Sequence, residues 1–342
     1  VPNLAKREHE RNLVPMIDLA LTSGKLKVES KKPGLLPVKK KLLEKYLIRE
    51  TDLATLLIPY LETIKAPKID AISVTYGPGL EPALWVGINC ARALAAAWDL
   101  PIIPTNHMEG HIASSLINND LKLKKNLFPA IALLISGGHT ELVVVKNWLK
   151  YKILGQTRDD AVGEAFDKVA RLLGLPYPGG PEISKLALKA GDATVPPELK
   201  LPRPMLHSGN FEFSFSGIKT SVLYKVRELE KSGPLSEEIK AIIAKEFQDA
   251  AIEVLTVKTL KALEQTGAKT LIIGGGVIAN KALRAAFETK VPADVNLLIP
   301  EFTFTTDNAS MIAVAAYFRY LSGKNVYTHT KKIVANGNLP LK

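Results

Sequence analysis

A single cysteine, Cys90, occurs in 342 residues, so the chain can form no internal disulfide and no thiolate metal cage. Its setting, "VGINCARALAAAW", is that of a small core residue, and the lack of bridges suits a reducing compartment. Long apolar runs are missing too: no stretch reaches eighteen uncharged apolar residues, and the opening "VPNLAKREHERN" has no apolar signal region. These absences argue against a membrane span and predict a cytoplasmic protein. Two glycine-rich turns are present, yet neither ends in the Lys-Ser/Thr of a Walker A loop and neither is G-x-G-x-x-G followed by an acid.

What the chain does have is apolar content, 46%, enough for a large core and a two-domain expectation. The net charge of +11 points to an anionic partner such as nucleic acid or a nucleotide, with general solubility as the alternative. Helical periodicity covers residues 3–22, with Leu13, Met16, Ile17 and Leu21 on one side and Pro15 as a potential kink. Residues 23–66 then break character. Positions 25–50 hold nine Lys or Arg against three Glu, and this stretch reads as a basic excursion, either a solvated loop and helix or a contact for RNA phosphates.

Beyond Pro67 the pattern is regular. "KIDAISVTYGPG" reads as a buried strand, "PALWVGINCARALAAAWDL" as a buried helix and "PIIPT" as a short strand. "PAIALLISGGHTELVVVKN" reads as a hairpin turning at Gly137 and Gly138. Helices are expected near 161–174, 181–190, 217–231 and 235–266. The closing part alternates strand "KTLIIGGG", helix "NKALRAAFE", strand "VNLLIP" and helix "NASMIAVAAYFRYL". Such alternation predicts an α/β fold with largely parallel sheets in two lobes around a cleft.

Three features carry chemistry. The glycines of "LLISGGHTE" and of "LIIGGGVIANKAL" (Gly274, Gly275 and Gly276) let backbone amides approach an anion, the second at the start of a helix; plain turn geometry is the alternative for each. In "NHMEGH", His107 and His111 lie one turn apart on a helix and can present nitrogens to one metal ion. A zinc-protease helix needs its glutamate directly after the first histidine, where this chain has Met108. Asp307 in "TTDNAS" is a candidate third ligand, with an ordinary helix cap as the competing role. Two histidines and a carboxylate leave coordination positions open and suit Fe(II), or alternatively Zn(II). His139, in the first glycine turn, touches phosphate or stabilises the turn; Asp159, Asp160 and Glu164 read as catalytic groups or as helix caps; Lys219 meets RNA or solvent.

Taken in order, "NHMEGH", "ISGGHTEL", "DDAVGEAFDKVARLLGLPYPGGP", "FSFSGIKTSV", "GGGVIANKALR" and "TDNASMIA" resemble the TsaD family of tRNA threonylcarbamoyladenosine synthases, in its bacterial form. The early helix does so as well, so the resemblance covers about residues 1–22 and 67–342. It implies the actin, sugar-kinase and heat-shock ATPase fold, with two duplicated lobes around a nucleotide cleft. The implied lobes are 1–130, carrying the basic insertion, and 131–300, with a helical insertion at about 160–265; residues 301–342 would be a terminal helix returning to the first lobe and a tail. The family's opening strand, of the type "IETSCDET", has no counterpart before Val1, and truncation at this end is the expected reason.

By the same resemblance the metal ligands fall on His107, His111 and Asp307. The nucleotide and threonylcarbamoyl contacts fall on Leu134, Ile135, Ser136, Gly137, Gly138, Asp167, Gly180 and Asn280. The implied reaction moves the threonylcarbamoyl group of threonylcarbamoyl-AMP to the exocyclic amine of adenosine at position 37 in tRNAs that read codons beginning with A. Direct, metal-assisted transfer is expected rather than a covalent acyl-enzyme, with Asp167 the one candidate for catalytic contact. Implied partners are tRNA, a TsaB-like paralogue and a TsaE-like ATPase. A metal-dependent peptidase and a sugar-kinase-like ATPase of the same fold are the alternatives, together with a non-enzymatic RNA-binding scaffold.

Overall fold

A computed structural model describes residues 2–24, 26, 35–117, 127–323, 326–328 and 331–342. The described chain forms two compact units, one of residues up to Gly110 together with Ala309–Leu341, the other His111–Asn308. Within the second unit the His111 carbonyl lies against Gly274.

The first unit opens with α1 (Pro2–Ser23), which keeps Pro15 inside it. α2 (Pro37–Tyr46) and α3 (Thr51–Thr63) follow, then β1 (Ile72–Gly77), α4 (Glu81–Trp98), β2 (Ile102–Asn106) and α5 (His107–Ser114). β1 and β2 pair in parallel, joined through α4. The basic stretch at 23–66 departs from its reading as a solvated excursion, although residues 25 and 27–34 lie outside the described part. Leu43, Leu53, Leu57 and Leu61 are fully buried beside Val86, Ile88 and the alanines of α4, so α2 and α3 are part of this unit's core. The lysines belong to α2 alone, on its outer side, and α3 has none. At roughly 1.5–3 kcal/mol for each fully buried leucine, the packing far outweighs any preference of those lysines for a loop.

The second unit is built on β3 (Ala130–Ile135), β4 (Thr140–Asn147) and β5 (Lys150–Gln156), then α6 (Val162–Leu172), α7 (Gly179–Lys189), α8 (Ser216–Glu230), α9 (Glu237–Thr266), β6 (Thr270–Gly274), α10 (Lys281–Lys290) and β7 (Asn296–Leu298). The sheet order is β5-β4-β3-β6-β7, with β3, β6 and β7 parallel and β4 and β5 antiparallel to their neighbours. β3 is apolar at every position because both its faces are covered. Ile131, Leu133 and Ile135 alternate onto the face that packs with Phe166, Phe247 and Ile273. The helices α6 to α9, expected as an insertion, supply much of that core. Ser236 starts the 30-residue α9 by accepting a hydrogen bond from the Ile239 amide at 3.2 Å.

α11 (Ala309–Leu321) completes the first unit. No described helix is long and apolar enough to cross a membrane.

Candidate functional site

β3 and β6 are adjacent parallel strands with Leu134 in register with Gly274, so their carboxyl ends deliver two turns side by side. In parallel α/β sheets, ligands bind outside this end. The first turn, Ser136–His139, is closed by the Ser136 amide donating to the His139 carbonyl at 2.9 Å. Ser136 Oγ also accepts from the amides of Gly138 (3.3 Å) and His139 (3.1 Å). Gly137 and Gly138 both face open space where a side chain would be. Since the Gly138 N–H is turned to Ser136, the Gly137 amide is the better placed of the two for an anion. Leu134 and Ile135 are fully buried, so only their backbone can take part.

The second turn divides its labour. A Cβ on Gly274 would collide with the carbonyl of His111, and one on Gly275, at φ +100°, with the carbonyl of Ile135. Gly274 and Gly275 therefore allow close packing, and Gly276 alone of the three borders open space.

Around these turns the remaining expected residues are linked by hydrogen bonds. Gly163, in the first turn of α6, sits so near the first loop that a Cβ would come within 2.6 Å of the Ser136 carbonyl. One turn on, Asp167 Oδ1 accepts from the Gly179 amide at 2.7 Å, which fixes the start of α7 and leaves Oδ2. Gly180 follows, with open space beside it, and its carbonyl accepts from Ser184 Oγ at 3.1 Å. Ser184 Oγ and Gln248 Oε1 each accept from Asn280 Nδ2 at 2.9 Å, while Asn280 Oδ1 caps α10 by accepting from Leu283 at 3.1 Å. Asn280 thus has both amide hydrogens engaged, and its carbonyl keeps one lone pair for a ligand.

Asp159 caps a helix, but that helix is α8. Its Oδ2 accepts from the hydroxyls of Ser214 (2.5 Å) and Ser216 (2.6 Å), and its Oδ1 from the amides of Phe215 and Ser216. Burial pushes the Asp159 carboxyl up, but these four donors outweigh it and hold the group below the ordinary carboxylate range. Asp160 and Glu164 both pair with Lys168, at 2.7 and 2.9 Å, and Lys219 lies 3.9 Å from Asp160.

The two histidines share α5, one turn apart. His111 Nε2 lies 3.4 Å from Asp307 Oδ1, and one ligand atom from each of the three residues falls within 4.8 Å of the others. His111 is fully buried, His107 half-buried and Asp307 exposed. Two donors each about 2.1 Å from one tetrahedral ion would themselves be about 3.4 Å apart, so the His111–Asp307 spacing fits a shared metal. The donor set, two imidazole nitrogens and one carboxylate oxygen, suits Fe(II) or Zn(II).

Glu109, the acid between the histidines, is turned away from them. Arg319 of α11 grips it at 2.8 Å through Nε and 2.7 Å through Nη2, with both side chains buried. Burial pushes the Glu109 carboxyl up, opposed by the charge and hydrogen bonds of Arg319. Sequence reasoning named neither Arg319 nor the Ser184–Gln248 pair. Arg319 is 210 positions from Glu109, and no local spacing reports such a pairing.

The model of the TsaD family, tRNA N6-adenosine threonylcarbamoyltransferase, matches residues 61–314. Curated proteins of that name are similar over most of the chain. The one from Chromobacterium violaceum is 42% identical over 322 residues, covering 93% of this chain and 81% of its own. The one from Burkholderia mallei is 48% identical over 274 residues, covering 77% and 76%. Among solved structures, the crystal structure of HypF from T. kodakarensis superposes with a TM-score of 0.51 at 15% identity, over 81% of this chain and 44% of that one. That likeness concerns the fold alone, which is of the actin, sugar-kinase and heat-shock ATPase class. The chain belongs to the TsaD family, the tRNA N6-adenosine threonylcarbamoyltransferases.

Proposed function

We propose that the protein transfers the threonylcarbamoyl group of threonylcarbamoyl-AMP to the exocyclic amine of the adenosine beside the anticodon, in tRNAs reading codons that begin with A. The amine nitrogen forms a bond to the carbamoyl carbonyl carbon, the bond from that carbon to the phosphate oxygen breaks, and AMP leaves. The amine's proton passes to solvent or to the departing phosphate. The observation that carries this reading is the contact of Gly274 with the His111 carbonyl, which brings the metal-ligand helix and the glycine turn to one place.

In this reading the Gly137 amide and the start of α7 hold the adenylate, and Asp167 Oδ2 accepts hydrogen bonds from ribose hydroxyls. Asn280 and Ser184 keep α7 and α10 together beneath it. His107, His111 and Asp307 hold one divalent metal, Fe(II) favoured over Zn(II), which as a Lewis acid supplies charge stabilisation at the carbamoyl or phosphate oxygens. No side-chain nucleophile is needed. Glu109 supports the transferase reading over a peptidase, since its carboxylate is gripped by Arg319 and is not poised to activate water.

Partners in this reading are tRNA, a TsaB-like paralogue and a TsaE-like ATPase, in the cytoplasm. The test is incubation of the protein and those partners with threonylcarbamoyl-AMP and unmodified tRNA, followed by mass spectrometry of the nucleosides. Appearance of the modified adenosine with equimolar AMP is expected; peptide cleavage or sugar phosphorylation without it would overturn the proposal.

A further inference from the structure

A cavity of about 860 Å³ opens in the first unit between the start of α1, the end of α2, the start of α4 and the segment around Lys332. None of the residues proposed above to hold metal or adenylate lines it. Five cations do: Lys6, Lys45, Arg49, Arg92 and Lys332. The one acid among its lining residues, Glu50, is withdrawn, with 2% of its surface exposed and its Oε2 accepting from Asn89 at 3.0 Å. Among the described residues Lys45, Arg49 and Lys332 have no ion pair. Lys6 is already engaged, donating to the Arg49 carbonyl at 2.7 Å and pairing with the buried Glu10 at 3.4 Å, so the other four cations carry the unmatched charge.

Arg92 brings to the cavity wall a cation without an ion pair among the described residues. Its guanidinium lies 4.1 Å over the Tyr46 ring, and its buried Nε has no hydrogen-bond partner among the described residues. A buried donor left unmatched costs about 1–3 kcal/mol, which a phosphate oxygen would recover. Trp85, half-buried in the wall, adds a flat apolar surface.

We infer that this groove binds the sugar-phosphate backbone of RNA, at a place separate from the metal and adenylate site. Exposed lysines spread along an open cavity match an extended polyanion better than a compact anion, which would be ringed by closely spaced donors. The inference rests on the transferase reading for the identity of the RNA, a tRNA.

The test compares the wild-type protein with Lys45→Glu/Lys332→Glu, two exposed positions whose exchange leaves the core intact. Binding of unmodified tRNA is measured across a salt series, with transfer assayed in parallel. The variant is expected to bind tRNA about ten-fold or more weakly, with a salt slope shallower by roughly one for each lost phosphate contact. Its KM for tRNA should rise while kcat at saturating tRNA stays unchanged. Equal affinity and slope in the two proteins, while wild type makes product, would overturn the groove alone; absence of product from wild type would overturn the transferase reading instead. Two further arms address other occupants. Unchanged tRNA binding with lost affinity for inorganic pyrophosphate would assign the cavity to a small anion, and unchanged tRNA binding with lost association of the TsaB-like paralogue would assign it to a protein; either result overturns the RNA proposal.

Discussion

Arg319→Met tests whether the clamp between α5 and α11 is as costly to break as its burial implies. The guanidinium and the Glu109 carboxylate are each less than a tenth exposed and meet through two hydrogen bonds of 2.7–2.8 Å. Removing one partner of such a pair leaves a buried charge without its counter-ion, a loss of about 3–5 kcal/mol, whereas replacing both partners by neutral groups recovers much of it. Transition midpoints of units this size move ~2–4 °C per kcal/mol. Arg319→Met should therefore lower the melting transition of the first unit by roughly 6–20 °C at neutral pH. Glu109→Gln/Arg319→Met should be clearly more stable than Arg319→Met alone. Thermal unfolding followed by circular dichroism at fixed pH and salt reads both. A melting temperature within a degree or two of wild type for Arg319→Met, or a double variant less stable than the single one, would refute the reasoning.

Three other outcomes follow from separate features. Gly274→Ala forces a Cβ into the His111 carbonyl, so it should displace the end of α5 and cost about 1–3 kcal/mol of stability; if the proposed metal site is right, metal titration of the purified variant is expected to show weakened binding, and wild-type affinity would count against the contact. Asp159 has a depressed carboxyl in the folded state, so its stabilising contribution is complete above the ordinary value of 3.8 and lost as pH falls through the lower folded value. Asp159→Asn should accordingly destabilise at neutral pH and converge with wild type under strong acid, as denaturant midpoints across pH would report. Leu57→Ala, in α3 of the stretch at 23–66, should cost about 2–5 kcal/mol because Leu57 is fully buried; a loss below half a kcal/mol in urea unfolding would restore the view of that stretch as a solvated excursion.

How legible the molecule was depends on whether each determinant is local. The hairpin at Gly137 and Gly138 and the helices α4 and α6 to α11 follow from apolar period and turn residues, and the structure carries them within a few residues of their expected bounds. β5 was missed because it is an edge strand: Lys150 and Lys152 alternate with half-buried residues, and such charged edges look like loop in sequence. α2 was misread because lysines dominate its composition while few residues carry the leucine spacing that buries it, and α3, which has no lysine, was swept into the same stretch. At the site, His107 and His111 announce themselves at i and i+4, and the three glycines after β6 are visible as a turn. What could not be read is which glycine does what. Gly274 and Gly275 are set by backbones from α5 and β3, distant in sequence, and Arg319 is found only once α11 lies beside α5.

The account turns on His107, His111 and Asp307 forming one metal site that serves the transfer. The most direct measurement is the metal content of the purified protein by elemental mass spectrometry, compared between wild type and His111→Ala at matched secondary structure. One divalent ion per wild-type chain is predicted, lost in the variant together with transfer to tRNA, while circular dichroism stays unchanged. A folded His111→Ala that keeps a full equivalent of metal and wild-type transfer would contradict it.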